Sequence, residues 1–196
     1  MWTFITDFGD SAVTLSLTVL VAAYLALVKR PQLFWSWSLA VGGTGGTIAI
    51  LKLLLGSCGQ QWSGLAPVMV SPSGHTAMST VVYGCFAGLA GRHLSPGPRL
   101  LVRSATALWI GLIAFSRLIL SAHTPPEVIT GFVFGGLAVV GFSRATRAEG
   151  AVPLHLWRLV VVSAILVAAV HGTKWPIETT IKELALSLRG QIPACH

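Results

Sequence analysis

Charge is what this chain has least of. Only 10% of its 196 residues are charged, where a soluble domain carries about 25%. Acids are scarcest of all, 6 against 13 lysines and arginines. Cysteine is rare too. Cys58, Cys85 and Cys195 make no disulfide framework, and no Cys-x-x-Cys occurs. Histidines are scattered without metal-ligand spacing, so neither metal nor cofactor is expected. A secretory leader is also missing from the pattern: Asp7 and Asp10 precede the first apolar run, where such a leader would begin with basic residues.

What fills the chain is apolar. Hydrophobic residues make up 54% of it, and mean hydropathy is +0.77. Six runs approach the roughly 20 residues that cross a bilayer, at 11–28, 33–55, 73–91, 100–121, 126–143 and 153–171. Lipid offers an open backbone no solution but the helix. The expectation is one all-α domain over 1–196, a six-helix transmembrane bundle with no soluble module.

The net charge of +7 does not indicate nucleic acid, because the basic residues sit in short clusters between apolar runs. With six spans, Lys29, Arg30, Arg92, Arg99, Arg103, Arg144, Arg147 and Arg158 all fall on one side, joined by Glu149 alone among the acids. That side is expected to be cytoplasmic. Both termini, Lys52, the Ser71–Thr76 stretch, Arg117, His123 and Glu127 then face outward. Arg99 and Arg117 are 18 residues apart, about 27 Å of helix, so Arg117 reaches the outer interface.

Some features have plainer readings. Gly42-Gly43-Thr44-Gly45-Gly46 lacks the Gly-Lys-Ser/Thr of a phosphate loop and lies within a span. Gly42 with Gly46, and Gly131 with Gly135, read as small-residue helix contacts. The 57–70 stretch, with Trp62, Pro67 and Met69, reads either as a lipid entrance or as an ordinary interfacial loop. In the tail from 174 to 196, Ile177, Ile181, Leu184 and Leu188 share a helical face, which suits a helix lying on the interface, with Trp175 at headgroup level. Cys58 and Cys195 share the outer side, as a pair or as free thiols.

The ionisable residues of the outer face remain. Lys52, His75, Arg117, His123 and Glu127, with Ser73 beside them, gather in a chain that otherwise avoids charge. Such groups read by default as a functional site. Ser73-Gly74-His75 opens a helix, whose unpaired amides and dipole favour an anion. Pro72 suits a first turn, Gly74 admits a close phosphate, and Arg117 can grip two phosphate oxygens. His123 and Glu127, four apart, can pair. A histidine held by a carboxylate is the better nucleophile, which leaves His75 as general acid. Each residue also has a structural reading: Glu127 as half of a capping box with Thr124, His75 as a satisfied interfacial ring, Arg117 and Lys52 as snorkelling cations.

Taken together, Pro72-Ser73-Gly74-His75 and Ser116-Arg117, followed by His123 and an acid at 127, resemble the type 2 phosphatidic acid phosphatase (PAP2) superfamily of membrane lipid phosphatases. The resemblance covers most of the chain. It implies a metal-independent hydrolase working through a phosphohistidine, with His123 as nucleophile, His75 as acid, and Ser73, Gly74 and Arg117 on the phosphate. Lys52 fits the lysine of the family's first motif. Two positions depart. Glu127 stands where the family usually has aspartate. Gly59 and Gln60 stand where arginine and proline usually follow the lysine, so one cation is missing, and Gln60 or Gln61 is the candidate replacement. The implied substrate is a lipid phosphate among membrane lipids, handled at the periplasmic face of a bacterial inner membrane. Polyprenyl (undecaprenyl) diphosphate ranks first, ahead of phosphatidylglycerol phosphate, phosphatidate and lipid A phosphate. A lipid phosphotransferase, a non-catalytic lipid-binding subunit and, more weakly, a transporter are the alternatives. A homo-oligomer is left open.

Overall fold

The computed structural model describes residues 1–58, 71–150 and 156–188. They are helical, with no strand among them. In order they form α1 (Trp2–Asp7), α2 (Ser11–Leu27), α3 (Pro31–Cys58), α4 (Gly74–Ala90), a 3-10 turn (Gly91–His93), α5 (Pro96–Ile119), α6 (Pro125–Ala145), α7 (Leu156–Val170) and α8 (Ile177–Ser187).

The helix starts follow local chemistry. Asp10 caps α2, its Oδ1 accepting from Ala12 N at 2.9 Å. Ser73 caps α4. Pro96 opens α5, and Pro125 with Pro126 opens α6, where the missing N–H costs nothing.

Among the described residues, four stretches are long and apolar enough to cross a membrane: Trp2–Leu27, Pro31–Ser57, Pro96–Ile119 and Pro125–Ala145. The other two expected runs are shorter helices, α4 with 17 residues and α7 with 15. The reason at α4 is its place. Thr76, Ser79 and Thr80 are buried on it along with Val81, Val82 and Cys85, so other helices surround it where lipid would surround an outer span.

Little drives helices together in lipid except close packing and hydrogen bonds, and α4 uses both. It runs parallel to α6, with Gly131 against Ser73 and Ala77, and Gly135 against Ala77 and Thr80. A Cβ on Gly131 would sit 2.7 Å from Ser73 O, and one on Gly135 would sit 2.6 Å from Thr80 Cβ. The Gly131/Gly135 expectation therefore holds. The Gly42/Gly46 expectation does not, since a Cβ at either meets nothing within 4 Å; Gly45 is the glycine that packs, 3.5 Å from Met78 Sδ. Trp37 is wholly buried where α2, α3 and α6 meet, and its Nε1 donates to Thr18 O at 3.1 Å.

The two ends of the bundle differ in charge. At one end Arg30 pairs with Glu149 at 3.4 Å, Arg92 donates to Thr146 Oγ1 and Glu149 O, and Arg92, Arg99, Arg103 and Arg147 line a cavity of about 250 Å³. The opposite end gathers the starts of α2, α4 and α6 with the ends of α3 and α5.

The tail does form a helix, but its orientation corrects the expectation. α8 packs on α3. Ala185 is buried against Gly56, Leu184 is 47% exposed, and Glu178 turns inward. Sequence periodicity had set Glu178 on the outer side. Helix packing against Gly56, which leaves room for Ala185, decides the rotation instead.

Candidate functional site

α5 ends in a turn that delivers the first histidine. Ser121 takes φ 51°, Ser121 N donates to Leu118 O at 3.0 Å, and Ala122 N reaches Arg117 O at 3.0 Å. That pair of bonds is a Schellman closure, normally built on glycine. His123 N then falls 3.3 Å from Arg117 O, so the five residues between arginine and histidine fold back and the two stay adjacent.

α6 begins at once, and Glu127 does three things in its first turn. Its Oε2 accepts from Thr124 N at 3.0 Å and lies 2.9 Å from His123 Nδ1. Its Oε1 accepts from Ser71 N at 2.6 Å. The capping role and the histidine pairing, alternatives from sequence alone, coexist on one oxygen. A carboxylate only accepts, so Nδ1 carries the proton and Nε2 keeps its lone pair. His123 and Glu127 side chains are 5% and 6% exposed. Burial holds the His123 ring below its ordinary pKa; Glu127 opposes this, while Arg117 and Lys52 add to it. Burial thus favours the uncharged ring.

The lead-in to α4 is laced to the same place. Besides the Ser71 bond, Ser73 N donates to Glu127 O at 3.0 Å. The starts of α4 and α6 therefore lie together, and two helix dipoles present their positive ends to one spot. Ser73 is wholly buried, its Oγ accepting from Thr76 Oγ1 at 3.0 Å and Thr76 N at 3.4 Å. It works as the cap of α4. Gly74 lies against Lys52: a Cβ there would be 3.7 Å from both Cε and Nζ.

The cations carry partners the sequence did not reveal. Lys52, 9% exposed, is 3.1 Å from Glu178 Oε1. Burial would raise the Glu178 carboxyl, but Lys52, with Lys182 and His75 behind it, brings it down to about 2. Arg117 Nη1 donates to Thr6 Oγ1 at 2.9 Å, while its Nε is buried without a hydrogen-bond partner among the described residues. His75 Nε2 faces Asp10 Oδ2 at 3.7 Å.

The structure thus brings His75, His123, Glu127, Lys52, Gly74, Ser73 and Arg117 to one end of the bundle. Sequence reasoning missed Thr6, Asp10 and Glu178. Asp10 was legible as an outward acid beside a helix start; Glu178 gave no signal, being placed on the polar side of its helix. Gly59, Gln60, Gln61, Trp62, Pro67, Met69 and Cys195 lie outside the described residues, as does the Cys58 side chain. A cavity of about 230 Å³ opens from Lys52, His75 and Glu178 toward Ile48, Met78 and Ile181. A larger one, about 590 Å³, is lined by apolar groups including Phe8, Tyr83, Trp109 and Val167, away from the cations.

Comparison with known proteins places these residues in context. The family model described as the PAP2 superfamily matches residues 35–151, more than half of the chain and all seven sequence-derived site residues. A protein of Klebsiella pneumoniae described as "Uncharacterized 22.5 kDa protein in cps region" is 29% identical over 199 residues, covering 95% of this chain and 91% of its own length. No solved structure matches at a significant level.

Proposed function

Because this chain belongs to the PAP2 superfamily, whose members are generally phosphatases, we propose that it is a membrane lipid phosphate phosphatase working through a phosphohistidine. The observation that carries the proposal is the buried His123–Glu127 pair, 2.9 Å apart, beside two cations and a second histidine. Glu127 fixes the tautomer and leaves Nε2 to attack. Arg117, Lys52 and the first amides of α4 hold the phosphate oxygens. The Arg117 Nε–H, unmatched among the described residues, is a donor that a phosphate oxygen would satisfy.

His123 Nε2 forms a bond to phosphorus as the P–O bond to the lipid breaks, and His75 gives its proton to the leaving oxygen. Water then attacks phosphorus, His75 takes a proton from it, the P–N bond breaks, and its electron pair returns to His123.

The substrate is amphiphilic. Lys52 and His75 stand at the polar end of a cavity whose walls are Ile48, Met78 and Leu15, an arrangement that suits a phosphate head on an apolar tail. Polyprenyl diphosphate remains our first choice, with phosphatidylglycerol phosphate next. All six apolar helices span the membrane in this reading, α8 rests at the interface, and the site faces the periplasmic side of a bacterial inner membrane. The segregation of basic residues to the far end supports that orientation.

Phosphate release by purified protein in detergent with EDTA tests the proposal, offered polyprenyl diphosphate, phosphatidylglycerol phosphate, phosphatidate and lipid A. Release that survives EDTA and disappears in His123→Ala is the expected result. Release from none of them, or equal release by the variant, overturns it.

A further inference from the structure

The site holds two histidines, and each faces a carboxylate. The partner of His123 lies in the matched family region. The partner of His75 does not: Asp10 belongs to the N-terminal segment, ahead of residue 35.

That segment is built to bring Asp10 to the ring. Residues 6–10 form a compact turn, with Gly9 N on Thr6 O at 2.9 Å and Asp10 N on Asp7 O at 3.1 Å. Three anchors fix it. Thr6 Oγ1 accepts from Arg117 Nη1 at 2.9 Å. Tyr83 Oη, two turns below His75 on α4, donates to Phe8 O at 2.6 Å. Asp10 Oδ1 caps α2 at 2.9 Å. Gly9 packs its bare backbone on the ring: a Cβ there would lie 3.2 Å from His75 Cβ, 3.4 Å from Cδ2 and 2.8 Å from Ile113 Cγ2. With Oδ1 on the helix cap, Oδ2 is turned to His75 Nε2 at 3.7 Å, and both side chains are 14% exposed. Ion pairs of this length in resting sites commonly tighten when substrate binds.

We propose that Asp10 is the positioning residue for His75, stabilising its charged imidazolium so that it can give a proton to the leaving oxygen. The inference rests on the phosphatase reading above. The chemistry needs such a group. Burial comes first against a positive His75, which is 14% exposed, followed by Arg117 from α5, Lys52 from α3 and His123 from the α5–α6 turn. Glu178 from α8 favours it, but its Oε1 is engaged by Lys52 at 3.1 Å. Asp7 and Asp10 both lie near Arg117 as well, but of the two only Asp10 comes within 4 Å of the His75 ring among the described residues. Asp10 is the carboxylate set against the ring. The imidazolium carries two N–H protons. One passes to the leaving oxygen as the P–O bond breaks, and the ring becomes neutral, ready to take the proton of the attacking water.

Asp10→Asn tests this, because asparagine also caps a helix while carrying no charge. Asp10→Ser is the second variant, for the same reason. Two substrates separate the roles: an alkyl lipid phosphate, whose leaving oxygen must be protonated, and p-nitrophenyl phosphate, whose leaving group departs without an acid. Both variants should lose about tenfold in kcat on the lipid phosphate, part of the roughly 10²- to 10⁴-fold that acid–base catalysis supplies, and little on the aryl ester. The alkaline limb of the pH profile should move to lower pH, because a less stabilised imidazolium gives up its proton sooner. In a His75→Ala background Asp10→Asn should add nothing further. Equal losses on both substrates with an unmoved limb would mean that Asp10 only holds α2 in place. An unchanged profile on both would also overturn the inference. Failure of the phosphatase reading looks different, since wild-type protein would then release no phosphate, or His123→Ala would release it equally.

Discussion

Replacing Glu127 with glutamine separates its two tasks. Among the described residues the carboxylate accepts three hydrogen bonds, from His123 Nδ1 at 2.9 Å, Thr124 N at 3.0 Å and Ser71 N at 2.6 Å. An amide has one oxygen and one NH₂ group. If its oxygen stays on His123 and Thr124, the NH₂ confronts the Ser71 N–H. If it turns to Ser71, the NH₂ confronts Thr124 N–H and offers a donor to Nδ1. His123 then accepts at Nδ1, moves its proton to Nε2 and loses the lone pair that attacks. Either orientation strands at least one buried donor, at about 1–3 kcal/mol. The same carboxylate-to-amide change at the orienting residue of a serine protease triad costs about 10⁴ in turnover, so we expect kcat to fall by about 10²- to 10⁴-fold. Measured together, lipid phosphate turnover and thermal unfolding in detergent decide the matter. A large loss of kcat in protein still folded at the assay temperature supports the pairing. Turnover within twofold of wild type, with lowered stability, would reduce Glu127 to a helix cap and refute the reasoning.

Other expectations follow from the same contacts. Gly131→Ala places a methyl 2.7 Å from Ser73 O and should cost about 1–3 kcal/mol of stability, whereas Gly42→Ala meets nothing within 4 Å and should gain about 0.5–1 kcal/mol; unfolding in detergent compares the two. Because burial holds His123 below its ordinary pKa, the acid limb of kcat/KM should lie below about 6.5, and a limb above that value would contradict the buried, neutral nucleophile. Its sign for stability is the same: the unfolded chain binds the proton more readily, so this contribution is present above the ordinary value and is lost as pH falls below it. Glu178→Gln removes the carboxylate that occupies Lys52, and inhibition by inorganic phosphate should strengthen by about threefold to tenfold, the worth of a roughly 1 kcal/mol ion pair; unchanged inhibition would mean that Lys52 does not meet phosphate.

Much of this was legible beforehand, for reasons that differ by residue. Apolar runs gave the helices because lipid leaves the backbone no other open structure. Thr124 with Glu127 marked a helix start through local chemistry. The Arg117–His123–Glu127 group was readable because its members are close in sequence, joined by a single turn. Gly131 and Gly42 show the limit: both open a small-xxx-small spacing, yet only Gly131 faces another helix. Periodicity defines a face without saying what covers it. Asp10 and Glu178 show the same limit at the site. Each meets its partner across a long sequence separation, His75 in one case and Lys52 in the other, and only tertiary packing brings them there. Ser73 was expected on the phosphate, and its burial against Thr76 makes it the support of the amides that would bind it.

The most direct measurement is to trap the intermediate. Wild-type protein would be mixed with a lipid phosphate radiolabelled on phosphorus, quenched within a turnover, and examined for acid-labile, base-stable label on the chain. The account expects label on His123 and none on His123→Ala. Turnover by the wild-type protein with no label on His123, or label that persists in the variant, would contradict it.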